Sequence, residues 1–344
     1  MFNNIFEKIN NIIKNKKEYT SCRYFSGGLM FTHCEIVACC LYKCGLHFEE
    51  TYKGQDVDWK KVEKIRKEVI KNAKKGILPK SCIGCPDLVK KEWNDDYKIT
   101  ELYFNHWDQC NCGCIYCIQK GSQDIYLQTE KRQSTFYSAL DKLKDLYANN
   151  MVSKDVHVEF IGGDITLLDE AEELIDLCLD KGVSRMSFHT SAIDYSEAIE
   201  RAIKKAPKID FDFSLDCGSK ELYQKIKRID AFDKVINNLK RYVNAANGRK
   251  DYFTAKYILI DGLNDNIEEI EKWLLILKDI GIKNAKLEVN FKKYLPGESK
   301  EQPTIPENYK TLYEYFCKRT KELEMENHCW SFSKSIFEKR EIPQ

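Results

Sequence analysis

The sequence has little proline or glycine and no excess of charge of one sign. Only 7 of its 344 residues are proline and 16 are glycine, which excludes collagenous and low-complexity chains. The 55 Lys and Arg residues nearly balance the 54 Asp and Glu residues, for a net charge of +1. Because a general electrostatic attraction to nucleic acid needs a clear basic excess, we expect no nucleic-acid partner.

Long apolar runs are also missing. No stretch approaches the roughly 18–20 apolar residues that a membrane span requires, so we expect no membrane association. In residues 1–22 the short apolar stretches are broken by Glu, Lys and Asn, unlike a secretory signal. These features predict a cytoplasmic protein.

Cysteine, in contrast, is abundant. There are 15 cysteines, and eleven of them precede residue 118. A reducing compartment keeps thiols free, so clustered cysteines in a cytoplasmic chain predict metal or redox chemistry and not a disulfide framework.

The chain divides by pattern into a cysteine-rich module (1–95), a central α/β region (96–294), and a C-terminal helix and tail (295–344). A basic amphipathic helix is predicted over 59–75 in the first segment and another helix over 307–325 in the last. The predicted central strands are 99–104, 156–161, 185–190, 209–215, 252–260 and 285–291. The predicted central helices are 130–148, 168–181, 195–205, 219–244 and 266–280. Alternating strands and helices imply parallel βαβ units that curl into a partial barrel, with functional residues at the carboxyl ends of the strands.

One cysteine motif directly follows the first central strand. Cys110, Cys114 and Cys117 are spaced so that one short loop turns three thiolates toward a single point. Soft thiolates select zinc or an iron–sulfur cluster. Spacing alone leaves both open: an iron–sulfur cluster with one iron free of protein ligands, or a structural zinc site. Cys112, inside the interval, is a potential fourth ligand.

Three motifs together resemble the radical S-adenosylmethionine (radical SAM) superfamily. The first is the cysteine triad with Tyr116 before its last member. The second is Gly162–Gly163–Asp164 at the end of the second strand, which is similar to the Gly-Gly-Glu motif of the family with Asp in place of Glu. The third is the strand ending at Ser214 and Asp216. The resemblance covers about residues 98–291.

The resemblance implies a partial (β/α)6 TIM-like barrel with a [4Fe–4S] cluster on Cys110, Cys114 and Cys117. The free iron would bind the amino and carboxylate groups of S-adenosylmethionine, whose reductive cleavage yields a 5′-deoxyadenosyl radical that abstracts hydrogen from a substrate. The electron donor would be of the flavodoxin or ferredoxin type. The substrate would be a peptide or a small metabolite such as a sugar, and no residue is assigned a catalytic role on it.

The resemblance also implies contacts to S-adenosylmethionine. They are carried over to Tyr116, Gly162, Gly163, Asp164, Ser214 and Asp216. Glycine allows close backbone approach to a ligand, and a carboxylate attracts the methionine ammonium.

The cysteines before residue 90 form a second group. Cys82 and Cys85 make a Cys-Ile-Gly-Cys pair, and the spacing of Cys22, Cys34 and Cys39 is similar to the opening of SPASM-type auxiliary-cluster domains. We hypothesise a four-ligand site whose ligands are Cys22, either Cys39 or Cys40, Cys82 and Cys85. A second [4Fe–4S] cluster is the first choice, and structural zinc or scattered buried thiols are the alternatives.

Other candidates are weaker. His189, Thr190, Cys217 and Lys256 lie near strand ends, where each has a packing role as its alternative. Trp330 and Phe332 in the tail are expected to cover the open side of the barrel. Two functions of other classes also remain open: a non-catalytic iron–sulfur electron-transfer protein, and a zinc-stabilised interaction module.

Overall fold

The chain folds into two compact units, residues 1–107 with 133–159 and residues 108–132 with 160–344. The structure, a computed structural model, describes residues 18–32, 35–39, 47–50, 56–83, 85, 87–92, 97–117, 137–249, 252–294 and 304–339. Cys34, Cys40, Cys44, the beginning of the predicted helix 130–148 and residues 295–303 lie outside the described residues. The three-part division of the sequence followed composition, and it stays a prediction.

The first unit contains two short antiparallel strands and a larger mixed arrangement. Its elements are β1 (Glu18–Ser21), α1 (Arg23–Gly27), β2 (Gly28–Phe31), β3 (Glu35–Val37), β4 (His47–Glu50), α2 (Trp59–Lys74), a 3-10 turn (Lys80–Cys82), β5 (Val89–Glu92), β6 (Ile99–Phe104), α3 (Ala139–Ala148) and β7 (Val152–Phe160). β1 pairs with β5, and the other strands follow the order β7-β6-β2-β3-β4. β2 runs parallel to β6, whereas β3 is antiparallel to both β2 and β4.

Helix α2 was predicted from its apolar spacing, and the prediction is confirmed to within one residue. The Asp58 side chain caps it by accepting the Lys61 N–H at 3.0 Å. Its buried face includes Arg66, while Ile65 is only half-buried. The Arg66 Nη2 donates to the Gly28 carbonyl at 2.7 Å, and burial lowers the pKa of the guanidinium to about 10.

The second unit is built from strands that alternate with helices. Its elements are a 3-10 turn (Ile165–Leu167), α4 (Ala171–Asp180), β8 (Arg185–Thr190), α5 (Glu197–Lys205), β9 (Ile209–Ser214), α6 (Lys220–Lys227), α7 (Phe232–Ala245), β10 (Phe253–Leu259), α8 (Ile267–Ile280), β11 (Asn284–Val289), α9 (Phe291–Tyr294), α10 (Tyr309–Glu322), β12 (Glu326–His328) and α11 (Ser331–Lys339). The strand order is β12-β11-β10-β9-β8, and every pair in the order is parallel. The predicted α/β class is confirmed, and the mostly parallel strands are consistent with a partial barrel.

Burial alternates along the central strands and explains which face each side chain occupies. In β9 and β10 every second residue is buried and the residues between are half-buried. On the buried face Phe211 packs against Tyr242 of α7 and Phe253 of β10, with ring centroids 4.9 and 5.4 Å apart. Each such aromatic side chain contributes about 1.5–3 kcal/mol of hydrophobic stabilisation. The opposite face is left for polar groups.

Two predicted elements are corrected by the structure. The helix expected over 219–244 is two helices, because Arg228 adopts a left-handed conformation (φ 58°) and ends α6 by donating its N–H to the Gln224 carbonyl. The strand expected over 285–291 stops at Val289, and Phe291 begins the short helix α9. Strand β12 and helix α11 were not predicted. Within the described part of the chain, no helix has both the length and the apolarity that crossing a bilayer requires.

Candidate metal and cofactor site

A cavity of about 360 Å³ lies in the second unit, at the carboxyl ends of β8 to β11. The residues of loop 108–117 and the turn 162–164 form one side of its lining, and strand residues form the other. Its size is within the range of small-molecule sites, and its place at the carboxyl ends of parallel strands is where such folds bind ligands. The cavity therefore lies where the sequence predicted the functional residues to be.

The cysteine loop contributes three half-buried thiols to this cavity. Cys110, Cys114 and Cys117 all line it, and the Cys117 N–H donates to the Cys114 carbonyl at 3.2 Å. Cys112 also lines the cavity but is only 4% exposed. The chemistry of this donor set fits an iron–sulfur cluster, because three soft sulfur donors on one loop face a space large enough for a bound molecule.

The thiols of the loop interact with each other. A hydrogen bond with Cys112 lowers the pKa of Cys110 despite its burial. The pKa of Cys112 shifts in the opposite direction. Hydrogen bonds with Cys110 and Cys114, together with burial, raise it well above its usual range. Within the described ranges, no three His, Cys, Asp or Glu side chains are arranged to hold a single metal ion.

Two neighbouring segments fix the backbone of the loop. On one side, the Asp164 N–H donates to the Gln109 carbonyl at 2.7 Å. On the other, the Gly113 N–H donates to the Lys227 carbonyl at 2.8 Å. Gly163 is needed for the first contact, because a Cβ atom there would lie 1.9 Å from the Gln109 oxygen. This glycine thus serves a close approach between two parts of the chain.

Asp164, expected to bind the methionine ammonium, is 1% exposed and already hydrogen-bonded. Its Oδ1 accepts from the Thr166 N–H at 3.1 Å and hydroxyl at 2.7 Å. Its Oδ2 accepts from the Ser191 N–H at 2.7 Å, and both oxygens accept from the Thr190 hydroxyl at 3.1 Å. The carboxylate therefore connects the turn after β7 to the end of β8.

Asp216, expected to face the ribose or the methionine, is likewise fully buried. It has a left-handed backbone (φ 62°) and accepts the Ile258 N–H on Oδ1 at 2.8 Å. Its Oδ2 forms an ion pair with Lys227 and accepts from the Tyr116 hydroxyl. Lys227 also donates to the Tyr116 oxygen at 2.6 Å, so these three side chains connect the cysteine loop, the end of β9 and the end of α6.

Lys227 keeps its charge in this buried position. Burial alone would lower the pKa of its ammonium, but the charges of Asp216 and Cys114 raise the pKa well above its ordinary value. Sequence reasoning missed Lys227 because nothing in the helical pattern of α6 distinguishes it from the exposed lysines beside it. The only available signal was its position at the last turn of a helix that follows Asp216.

The remaining lining residues come from the strands. Ser214, His189 and Lys256 are half-buried and line the cavity, as does Trp330 of the tail. The His189 Nδ1 lies 3.8 Å from the Asp212 Oδ2. Asp108, Asp212, Lys286 and Glu288 also line the cavity and were not anticipated. Asp212 is two residues before Ser214 on β9, and Lys286 is two residues before Glu288 on β11. This spacing was a signal that could have placed the members of each pair on one face.

Three further side chains are fully buried and packed against the chain. The Cys217 thiol is fully buried against the Leu215 carbonyl at 3.4 Å and does not line this cavity. The Asn264 amide donates to the carbonyls of Asp216 and Ile258, both at 2.8 Å. Cys178 is fully buried in α4, and this burial raises the pKa of its thiol to about 12.

Four of the predicted N-terminal ligands lie among the described residues of the first unit. Cys22, Cys39 and Cys82 are buried and Cys85 is half-buried. Burial and then the charges of Cys22, Cys85 and Cys39 raise the pKa of Cys82 to about 11. Burial raises the pKa of Cys22, and Cys39 and Cys85 add to this effect. All four thiols are thus within electrostatic reach of one site.

Comparison with known proteins agrees with this geometry. A sequence model of the family described as the radical SAM superfamily matches residues 104–274. A probable GTP 3′,8-cyclase of Methanocaldococcus jannaschii is 24% identical over 187 residues, which are 54% of this chain and 57% of that protein. The ribosomal RNA large subunit methyltransferase Cfr of Clostridium botulinum is 24% identical over 222 residues, or 62% of this chain and 60% of that protein. The chain spans about 55–60% of the length of these first relatives.

The solved structure of Streptococcus suis SuiB bound to S-adenosylmethionine has a similar fold. It aligns with a TM-score of 0.55 at 14% identity, over 83% of this chain and 59% of that chain. The family match contains the cysteine triad, the Gly-Gly-Asp turn and strand β9. Residues 104–274 of the chain therefore belong to the radical SAM superfamily, whose members use a [4Fe–4S] cluster and S-adenosylmethionine as cofactors.

Proposed function

We propose that Cys110, Cys114 and Cys117 bind the [4Fe–4S] cluster and that the cavity beside them binds S-adenosylmethionine. When bound, these groups supply a 5′-deoxyadenosyl radical that abstracts hydrogen from a substrate. The observation that carries the proposal is the convergence of three half-buried thiols from one loop on a cavity at the strand ends. The superfamily match over the same residues supports it.

The residues of the chain divide between contact and positioning in this proposal. Tyr116, Gly162, Gly163 and Ser214 line the cavity and contact S-adenosylmethionine. Asp164 and Asp216 act through the segments they hold, because their carboxylate oxygens already accept hydrogen bonds from the chain.

The proposed substrate is a peptide or a small metabolite such as a sugar. SuiB, which shares the fold, has been solved bound to the precursor peptide SuiA, and that structure covers 85% of this chain with a TM-score of 0.53. We propose a low-potential electron donor of the flavodoxin or ferredoxin type. A cytoplasmic location fits the twelve described cysteines, none of which is in a disulfide.

RNA is the second candidate substrate. The Cfr relative is named for ribosomal RNA, which conflicts with the expectation of no nucleic-acid partner. The net charge of +1 still provides no general attraction to a phosphate backbone. Methyl transfer to RNA and hydrogen abstraction from a peptide are separated by incubating the enzyme with total RNA or with a peptide library and detecting which pool changes mass.

The cofactor proposal is tested by anaerobic reconstitution with iron and sulfide, followed by dithionite and S-adenosylmethionine. We expect 5′-deoxyadenosine from the wild type and none from Cys114→Ala. Cys178→Ala is the matched control, since that thiol is buried in α4 and its variant should still form the product. If Cys114→Ala forms 5′-deoxyadenosine at the wild-type rate, the ligand assignment is wrong.

We also propose that Cys22, Cys39, Cys82 and Cys85 hold a second [4Fe–4S] cluster. The support is that thiols from three separate segments of the first unit influence one another's pKa. Reconstituted wild type should then contain about eight irons, and Cys82→Ala about four. One zinc per chain that is lost in Cys82→Ala would assign the alternative, a structural zinc site. An iron and zinc content that is unchanged in Cys82→Ala would refute any metal site at these thiols.

A further inference from the structure

Two lysines stand side by side on the cavity face of the parallel strands. Lys256 of β10 is directly opposite Lys286 of β11 in the strand pairing, and both line the cavity. Like charges directly opposite each other in a sheet are destabilising. Such a pair at a cavity wall therefore calls for negative charge that offsets it.

The chain supplies that charge to only one of the two lysines. The Lys286 ammonium lies 3.2 Å from the Glu288 Oε1. Glu288 is 2% exposed and is held by the Trp330 N–H at 3.0 Å and by the Ser333 hydroxyl. For the Lys256 ammonium, no hydrogen bond or ion pair is formed with any of the described residues. The cavity therefore presents one ammonium without a counter-charge.

The acids nearest in the strand pairing do not change this balance. Asp212 of β9 is opposite Thr254 in the pairing, and its carboxylate lies 3.8 Å from the His189 ring. The residue of β9 opposite Lys256 is Ser214, whose hydroxyl is neutral. The unpaired ammonium and its neighbour thus form a positive patch, which we name the Lys256–Lys286 patch.

The backbone of the cysteine loop is hydrogen-bonded to segments other than the strands of the patch. That loop is hydrogen-bonded to Asp164 after β7 and to Lys227 at the end of α6. β10 and β11 lie beyond β9 from β8, and each strand step is about 4.8 Å.

We propose that the Lys256–Lys286 patch binds an anionic oxygen group of the substrate, a carboxylate or a phosphate. The inference deepens the proposed function and rests on it, because the bound molecule is a substrate only if that function holds. Two adjacent ammonium groups bind such oxygens by charge-assisted hydrogen bonds. The group anchored there fixes the substrate in the cavity that the cysteine loop also lines.

The experiment measures protection of lysine amines in the full-length, reconstituted protein with S-adenosylmethionine. The protein is labelled with trinitrobenzenesulfonate in the presence of inorganic phosphate, acetate or chloride at equal ionic strength, and each lysine is quantified by mass spectrometry. We expect phosphate or acetate to slow labelling of Lys256 saturably, while exposed Lys278 of α8 is labelled at an unchanged rate. Protection by phosphate alone assigns a phosphate group, and protection by acetate assigns a carboxylate.

A matched pair of variants makes the test specific. Lys286→Met should raise the half-protecting concentration for Lys256 by about tenfold, the effect of losing one charge-assisted contact. Lys278→Met should leave it unchanged. Equal labelling of Lys256 in phosphate, acetate and chloride overturns the inference. The formation of 5′-deoxyadenosine by the same wild-type preparation is measured separately, so loss of that product counts against the proposed function and not against the patch.

Discussion

Removing the Lys227 ammonium should be among the most destabilising single changes in the second unit. Lys227 is 2% exposed and Asp216 is fully buried. In Lys227→Met the Asp216 carboxylate would remain buried with only the Ile258 N–H and the Tyr116 hydroxyl as partners. Breaking a buried ion pair from one side costs about 3–5 kcal/mol, because an uncompensated charge is left in the interior. That cost lowers the ratio of folded to unfolded protein by about two to four powers of ten.

Removing both charges of the Lys227–Asp216 pair should destabilise the fold less than removing the Lys227 charge alone. Asp216→Asn keeps the side-chain oxygen that accepts the Ile258 N–H, so the double variant Lys227→Met/Asp216→Asn leaves neither a buried charge nor an orphaned backbone group. Its free energy of unfolding should therefore exceed that of Lys227→Met. Lys225→Met is the control on the same helix, since Lys225 is exposed and its loss should cost less than about 0.5 kcal/mol.

The assay is anaerobic urea unfolding followed by intrinsic fluorescence, with the four proteins prepared in parallel. The slope of free energy against urea is fitted for each, so that a change in midpoint is read as a change in stability. The reasoning is refuted if Lys227→Met unfolds within about 1 kcal/mol of wild type, below the range for a broken buried pair. It is also refuted if the double variant is less stable than Lys227→Met.

Three further predictions concern the backbone contact, the role of Cys112 and the pH dependence of folding. Gly163→Ala should lose 5′-deoxyadenosine formation, because its Cβ would meet the Gln109 oxygen at 1.9 Å; formation at the wild-type rate would show that the loop can shift. Cys112→Ser should keep about four irons at the loop, as this thiol is buried between the proposed ligands; iron analysis that finds a loss would make it a ligand. Asp261 is half-buried, and although burial raises its pKa, hydrogen bonds with Lys293 and Tyr309 lower the pKa below its ordinary value. Stability from this group is therefore present above about pH 4 and is lost as pH falls below it, so acid unfolding of Asp261→Asn should show a smaller decline over that interval; an equal decline would contradict the assignment.

The order of strands and helices was largely predictable because it depends on local periodicity. The strands at Ile99–Phe104 and Arg185–Thr190 agree with the prediction at both ends. The break between α6 and α7 was not predictable, because it depends on Arg228 in a left-handed conformation that only glycine or asparagine commonly signals. The polar strand β12 carries too little apolar alternation to be recognised.

The part of the candidate site whose proposed ligands lie close together in the sequence was predictable. The cysteine triad spans eight residues, so its spacing alone indicated a metal centre. The roles of Asp164 and Asp216 were less accessible, since a carboxylate at a strand end looks the same whether it binds a ligand or the chain. Partners that lie far apart in sequence, such as Lys227 for Tyr116, decide between these roles, and only the fold brings them together.

The lining of the cavity therefore has two parts with different constraints. The cysteine loop is fixed by backbone hydrogen bonds to Asp164 and Lys227, so its geometry depends on packing within the fold. The charged side chains of β10 and β11 can change without altering a backbone contact. Relatives named for a GTP cyclase and for a ribosomal RNA methyltransferase match 54% and 62% of this chain. It follows that the substrate must be identified from the strand residues, Lys256 and Lys286 first, because the cysteine loop is compatible with all of these reactions.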